Sequence, residues 1–79
     1  MPPITIYTLP SCAYCQMAKA YFEKLAIPYL EYSLANDLKA RRKVFASFGE
    51  VGVPLIVIGD EAFIGFDREG IENALVRLS

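Results

Sequence analysis

The stretch ITIYTLPSCAYCQMAKAYF, residues 4–22, decides how the rest of the chain is read. Ile4 to Thr8 are rich in β-branched side chains and too few for a helix, so they predict a strand. From Ala13 onward, Met17, Ala18, Tyr21, Phe22 and Leu25 recur at helical spacing, with Gln16, Lys19, Glu23 and Lys24 on the other side. That pattern predicts a helix to Ala26 that buries one stripe. Between strand and helix lie both cysteines of the chain, Cys12 and Cys15. A pair at that spacing serves as a structural disulfide, as half of a metal site, or as a redox couple that opens and closes.

Downstream, strand-like and helix-like segments continue the order β-α-β-α-β-β-α. Pro28 stops the first helix, and YLEYSL, residues 29–34, alternates as a half-buried strand does. Asn36 or Asp37 caps a second helix whose apolar face is Leu38, Val44, Phe45 and Phe48, and Gly49 closes it. PLIVI, residues 54–58, is a continuous apolar run of the kind found in a central strand covered on both faces. Gly59 and Asp60 then turn it into EAFIG, residues 61–65, a hairpin signal that makes the two strands antiparallel neighbours. Asp67 caps a last helix with Ile71, Ala74, Leu75 and Leu78 facing inward. A βαβ half followed by a ββα half packs as an α/β fold, a four-stranded mixed sheet with three helices on its faces and a right-handed first crossover. With the apolar strands one and three in the centre, the strand order is 2-1-3-4.

A length of 79 residues leaves room for one core, so residues 1–79 are expected to form a single domain. With 54% hydrophobic and 22% charged residues, the composition is that of a globular chain and excludes a disordered tail. The net charge of -1, without a long like-charge block, argues against nucleic acid and anionic membranes as partners. The N-terminus shows no basic leader and no long apolar run, from which a cytoplasmic location is expected. Thiols are kept reduced there, so a cysteine pair is more often catalytic or metal-binding than a permanent staple.

At this point the chain resembles the glutaredoxin family, the minimal form of the thioredoxin fold. The resemblance rests on CAYC at the strand-to-helix junction, Val53-Pro54, and IGFD at residues 64–67 before the last helix, and it spans nearly the whole chain. It implies a dithiol–disulfide oxidoreductase that reduces protein disulfides or mixed glutathione disulfides. Glutathione is the implied co-substrate, and glutathione or thioredoxin reductase the implied electron donor. By the same resemblance Pro54 is cis and faces the cysteine pair, while Val53 pairs through its main chain with an extended substrate. Gly65, Phe66 and Asp67 occupy the positions that hold glutathione in the family. Two departures stand out: Leu9 takes the place of a lysine three positions before the first cysteine, and Phe66 that of a second glycine. Some glutaredoxins hold an iron–sulfur cluster between two copies through the first cysteine, so a cluster carrier using Cys12 is the alternative function. No resident metal or cofactor is expected, since two cysteines and no histidine fall short of four ligands.

The chemistry also follows from the residues themselves. Cys12 sits where the strand ends, at or beside the helix N-cap, so its sulfur faces the unpaired N–H groups and positive dipole end of the first turn. A thiolate is favoured there, and the thiolate is the species that attacks a disulfide. Cys15, one turn further in, then displaces the product from the mixed disulfide. Tyr14, at the helix start, has to face the cleft or solvent and is expected to bind substrate, whereas Tyr21 and Phe22 belong to the buried stripe. Helix two carries Lys39, Arg41, Arg42 and Lys43. These form a solvated face, or else Arg41 or Arg42 steers an anionic tripeptide or an acidic partner toward the cleft.

Overall fold

The computed structural model describes residues 2–78; Met1 and Ser79, the ends of the expected 1–79 domain, lie outside the described residues. Its elements are β1 (Ile4–Thr8), α1 (Ala13–Lys24), β2 (Leu30–Ser33), α2 (Leu38–Phe48), β3 (Leu55–Ile58), β4 (Glu61–Ile64) and α3 (Arg68–Leu78). They build one mixed sheet in the order β2-β1-β3-β4, as the hydrophobic pattern predicts. β1 runs parallel to β2 and antiparallel to β3, and β3 forms the hairpin with β4. Gly59 turns that hairpin at φ +58°, in the left-handed region where a two-residue loop favours glycine.

Strand alternation divides the core between the two faces of the sheet. Ile4, Ile6, Ile56 and Ile58 point to one side and pack with Ala18 and Phe22 of α1 and with Ile71, Ala74 and Leu75 of α3. Tyr7 and Leu55 point to the other, where they meet Ala40 and Val44 of α2. The first face therefore carries α1 and α3, and the second α2.

Several local expectations shift. The buried stripe of α1 is Cys15, Ala18 and Phe22, rotated from the predicted one, so Met17 stands half-exposed on the far side. Leu25 is the C-cap and equally exposed, because α1 ends before Pro28 acts. The stop is a Schellman pattern: Ile27 N–H donates to Phe22 C=O at 2.9 Å, Ala26 N–H to Glu23 C=O at 3.0 Å, and Ala26 takes the left-handed φ of +55°. β2 is shorter than residues 29–34 and largely exposed, being an edge strand. In α2 only Ala40 and Val44 are buried, whereas Leu38, Phe45 and Phe48 face outward. Tyr7 and Leu55 fill the space beneath the helix, leaving room for small side chains only. Leu78 of α3 is also exposed, lying at the helix end beyond the Leu75 packing.

Candidate active site

The register gathers the predicted site residues at one end of the sheet. Tyr7 pairs with Leu55 and Leu55 with Ile64, so the chain leaving β1, entering β3 and leaving β4 passes the same edge. Cys12 follows β1, Val53 and Pro54 precede β3, and Gly65, Phe66 and Asp67 follow β4. Gly65 N–H donates to Pro54 C=O at 2.8 Å and extends the hairpin ladder into the site. Gly65 adopts φ +84°, which a side chain would resist.

Cys12 is the N-cap of α1, with the extended backbone that a cap requires (φ −90°, ψ 111°). Its Sγ accepts the N–H of Cys15 at 3.1 Å, so sulfur does the work usually given to a Ser or Asp oxygen. The first turn contains no acidic residue to oppose a negative charge at that sulfur. Cys12 and Cys15 form a disulfide across a Cα–Cα distance of 5.2 Å. Cys12 is partly exposed and Cys15 wholly buried, so the two cysteines differ in access to solvent. Leu9 C=O accepts Cys12 N–H at 3.2 Å and closes the turn between strand and helix. Tyr14 is 62% exposed on the first turn of α1.

The Val53–Pro54 bond is cis, and Pro54 is buried. Among the described residues none hydrogen-bonds to the main chain of Val53, which leaves its N–H and C=O open. Asp67 caps α3, its Oδ1 accepting Gly70 N–H at 3.1 Å, and its side chain remains exposed. A methyl group at Gly70 would collide with that carboxylate. Phe66 turns its ring inward: it lies edge-on to Tyr21, 5.6 Å between centroids, and packs on the α1–α3 side of the core. Arg68 covers the Tyr21 ring at 5.6 Å and pairs with Glu72 at 3.2 Å. Burial and then the nearby Glu72 carboxylate push the Tyr21 hydroxyl above its ordinary pKa.

One support of the site has no signature in the sequence. The buried Thr8 hydroxyl donates to Glu31 Oε2 at 2.8 Å, and Lys19 Nζ lies 3.1 Å from the same oxygen. Thr8 ends the strand before the cysteine turn and Lys19 stands one helical turn beyond Cys15, so Glu31 on β2 clamps both sides of that turn. Among the described residues no group of three or more His, Cys, Asp or Glu could hold a metal ion, and no helix is long and apolar enough to cross a membrane.

The sequence profile of the glutaredoxin family matches residues 4–64. An uncharacterized glutaredoxin-like 8.6 kDa protein of the rubredoxin operon of Clostridium pasteurianum is 29% identical over 72 residues, 91% of this chain and 96% of that one. Among solved structures, a mutant of the thioredoxin-like protein BC3987 superposes with a TM-score of 0.88 at 26% identity, covering 96% of this chain and 97% of the other. The glutaredoxin-like protein NrdH-redoxin from Escherichia coli, described as having a thioredoxin-like activity profile, superposes with a TM-score of 0.80 at 25% identity, over 90% of this chain and 92% of its own.

Proposed function

This chain belongs to the glutaredoxin family, and from that we propose that it is a cytoplasmic dithiol–disulfide oxidoreductase acting on protein disulfides or mixed glutathione disulfides. The observation that carries the reading is the asymmetry of the pair: Cys12 caps α1 and is partly exposed, while Cys15 is buried and supplies the N–H that Cys12 Sγ accepts. In the reduced protein that N–H and the helix terminus stabilise a Cys12 thiolate. The thiolate attacks one sulfur of the substrate disulfide, an S–S bond to Cys12 forms, and the other substrate sulfur leaves as a thiolate that takes up a proton. Cys15 then loses its proton, attacks Cys12 Sγ and expels the second substrate thiol. Substrate gains two electrons and two protons, and the protein ends as the Cys12–Cys15 disulfide.

The open main chain of Val53 supports pairing with an extended substrate beside the attacked sulfur. Exposed Asp67 and the start of α3 suit the amino group and carboxylate at the glutamyl end of glutathione. Phe66 serves this site from below, as packing under α1 and α3. With Leu9 in the lysine position, the glycyl carboxylate of glutathione lacks one charge partner. The donor is therefore glutathione or a thioredoxin reductase, and the thioredoxin-like activity profile of the NrdH-redoxin relative favours testing both.

Insulin reduction by the wild-type, Cys12→Ser and Cys15→Ser proteins tests the mechanism, with NADPH consumption followed in glutathione-coupled and thioredoxin-reductase-coupled systems. Wild type turns over with one donor, Cys15→Ser accumulates a mixed disulfide at Cys12, and Cys12→Ser is inert. Undiminished activity of Cys12→Ser would sink the assignment.

A further inference from the structure

Helix α2 turns its larger apolar residues to solvent: Leu38 is 58%, Phe45 63% and Phe48 42% exposed, while Ala40 and Val44 face the sheet. With Arg41 and Arg42 they stand at i, i+3, i+4, i+7 and i+10, one continuous stripe on the side away from the core. Charge singles out the same helix. Four of the eight basic residues and none of the nine acidic ones lie on α2, so it carries +4 and the remainder of the chain −5. Among the described residues, Lys39, Arg41, Arg42 and Lys43 take part in no ion pair; the cations that do are Lys19, Arg68 and Arg77. Two cavities flank the helix, one of ≈ 440 Å³ lined by Arg41, Phe45, Leu34, Val51 and the single acidic residue Glu50, the other of ≈ 410 Å³ lined by Lys39, Lys43, the capping Asp37 and the sheet residues Tyr7 and Tyr32.

We propose that the outward stripe of α2 is the docking face for an acidic segment of a disulfide-bearing protein substrate, which seats an apolar side chain against Phe45 and its carboxylates on Arg41 and Arg42. This rests on the oxidoreductase reading and names its substrate class. Arginine beside aromatic rings is the composition that dominates protein recognition surfaces. The unpaired cations select an acidic partner and repel a basic one. Continuity with the redox site comes from the chain: Val51 lines the larger cavity and stands two residues before Val53. The scale also fits a short segment. Eleven helical residues span about 16 Å, the length of roughly five extended residues and far less contact than a stable dimer needs.

The test uses two synthetic peptides that share one disulfide loop, flanked in one by an acidic, leucine-bearing segment and in the other by a basic, serine-bearing segment of equal length. Pre-reduced protein in excess is mixed with each, and single-turnover reduction is followed by chromatography. Hydroxyethyl disulfide, small and neutral, is run in parallel. The acidic peptide reacts about tenfold faster at low ionic strength, and the advantage shrinks toward parity near about 0.5 M salt. In Arg42→Glu/Phe45→Ser the advantage falls below about twofold, while hydroxyethyl disulfide is reduced at the wild-type rate. The single change Arg42→Glu, at an exposed side chain, lowers the preference without touching packing, should the double variant fail to fold. Equal rates for the two peptides, or a preference that survives both variants, overturn the docking face. Failure of the wild type to reduce hydroxyethyl disulfide overturns the oxidoreductase reading instead. A dimer in sedimentation that Phe45→Ser dissolves gives the face to a second copy and overturns the proposal.

Discussion

Replacing Glu31 by Gln isolates the charge of the clamp beneath the cysteine turn from its hydrogen bond. Glu31 Oε2 accepts the Thr8 hydroxyl at 2.8 Å and faces Lys19 Nζ at 3.1 Å. Burial opposes the ionised carboxyl, but the Thr8 hydroxyl and the Lys19 ammonium outweigh it and hold Glu31 below its ordinary value of 4.5. The Glu31 and Lys19 side chains are 35% and 20% exposed, so solvent screens the pair. Its contribution stays near about 1 kcal/mol, far from that of a dry ion pair. Gln keeps an oxygen for Thr8, so the loss is confined to that charge interaction and lowers Tm by roughly 4–8 °C in a domain of this size. The folded pKa lies below the unfolded one. The stabilisation is therefore complete above the unfolded value and is lost as pH falls through the folded value. Urea unfolding of both proteins at about pH 7 and about pH 3 reads this directly: the curves are separated at neutral pH and converge in acid. A gap of equal size at both pH values, or none at neutral pH, refutes Glu31 as an ionised anchor.

Ala26→Gly relieves the left-handed φ of +55° at the end of α1 and raises stability by about 0.5–1 kcal/mol in thermal melts, the strain removed exceeding the added unfolded-chain entropy; an unchanged Tm means the Cβ is no liability there. Iodoacetamide given to the reduced protein at about pH 6 labels Cys12 ahead of Cys15, as peptide mass mapping will show, because only Cys12 has both exposure and the helix terminus. Labelling of Cys15 first reverses the two roles. Phe66→Gly costs about 2–4 kcal/mol in urea titrations and does not improve glutathione-dependent turnover, since its ring packs against Tyr21 and the core. A gain in turnover at unchanged stability would show the ring to be a gate. Leu9→Lys, at a position 38% exposed beside the turn, restores a cation and lowers KM in the glutathione-coupled assay several-fold, by about 1 kcal/mol of ion pairing; an unchanged KM assigns the carboxylate elsewhere.

The fold is legible where a pattern has one physical cause. β3 reads as central because Leu55, Ile56 and Ile58 are fully buried, and an uninterrupted apolar run occurs where both faces are covered. Gly59-Asp60 reads as a hairpin because few residues besides glycine adopt its φ. Helix faces are less legible, since periodicity shows that a stripe exists and not which way it points. In α2 the larger stripe points outward, because Tyr7 and Leu55 already fill the volume under the helix and admit only Ala40 and Val44. In α1 the stripe shares Ala18 and Phe22 with the predicted one but begins at Cys15, whose chemistry hides its packing role. Edge strand β2 misleads for the opposite reason: the residues that pack on the two core clusters, Tyr29 and Leu34, flank the strand, while within it Tyr32 stacks on Tyr7 from the surface.

The site is legible to the extent that it is local. A cap at Cys12, a glycine at Gly65 and a cap at Asp67 are each set by residues within a turn of one another, so their order along the chain suffices to place them. The Thr8–Glu31 bond spans 23 residues of sequence and depends on the register of β1 against β2, which no local signal carries. The groups around the cysteine pair in the proposed site are moreover largely main chain: the Cys15 N–H on Cys12 Sγ, the open Val53 peptide and the Gly65 N–H that holds Pro54. Such a site survives wide change in side chains, consistent with a relative at 29% identity matching almost end to end. If the proposed oxidoreductase reading holds, a reactive centre built from backbone discriminates weakly among disulfides. Selectivity then has to come from side chains beyond it, and among the described residues α2 sets four cations that are in no ion pair beside the exposed Phe45 and Phe48.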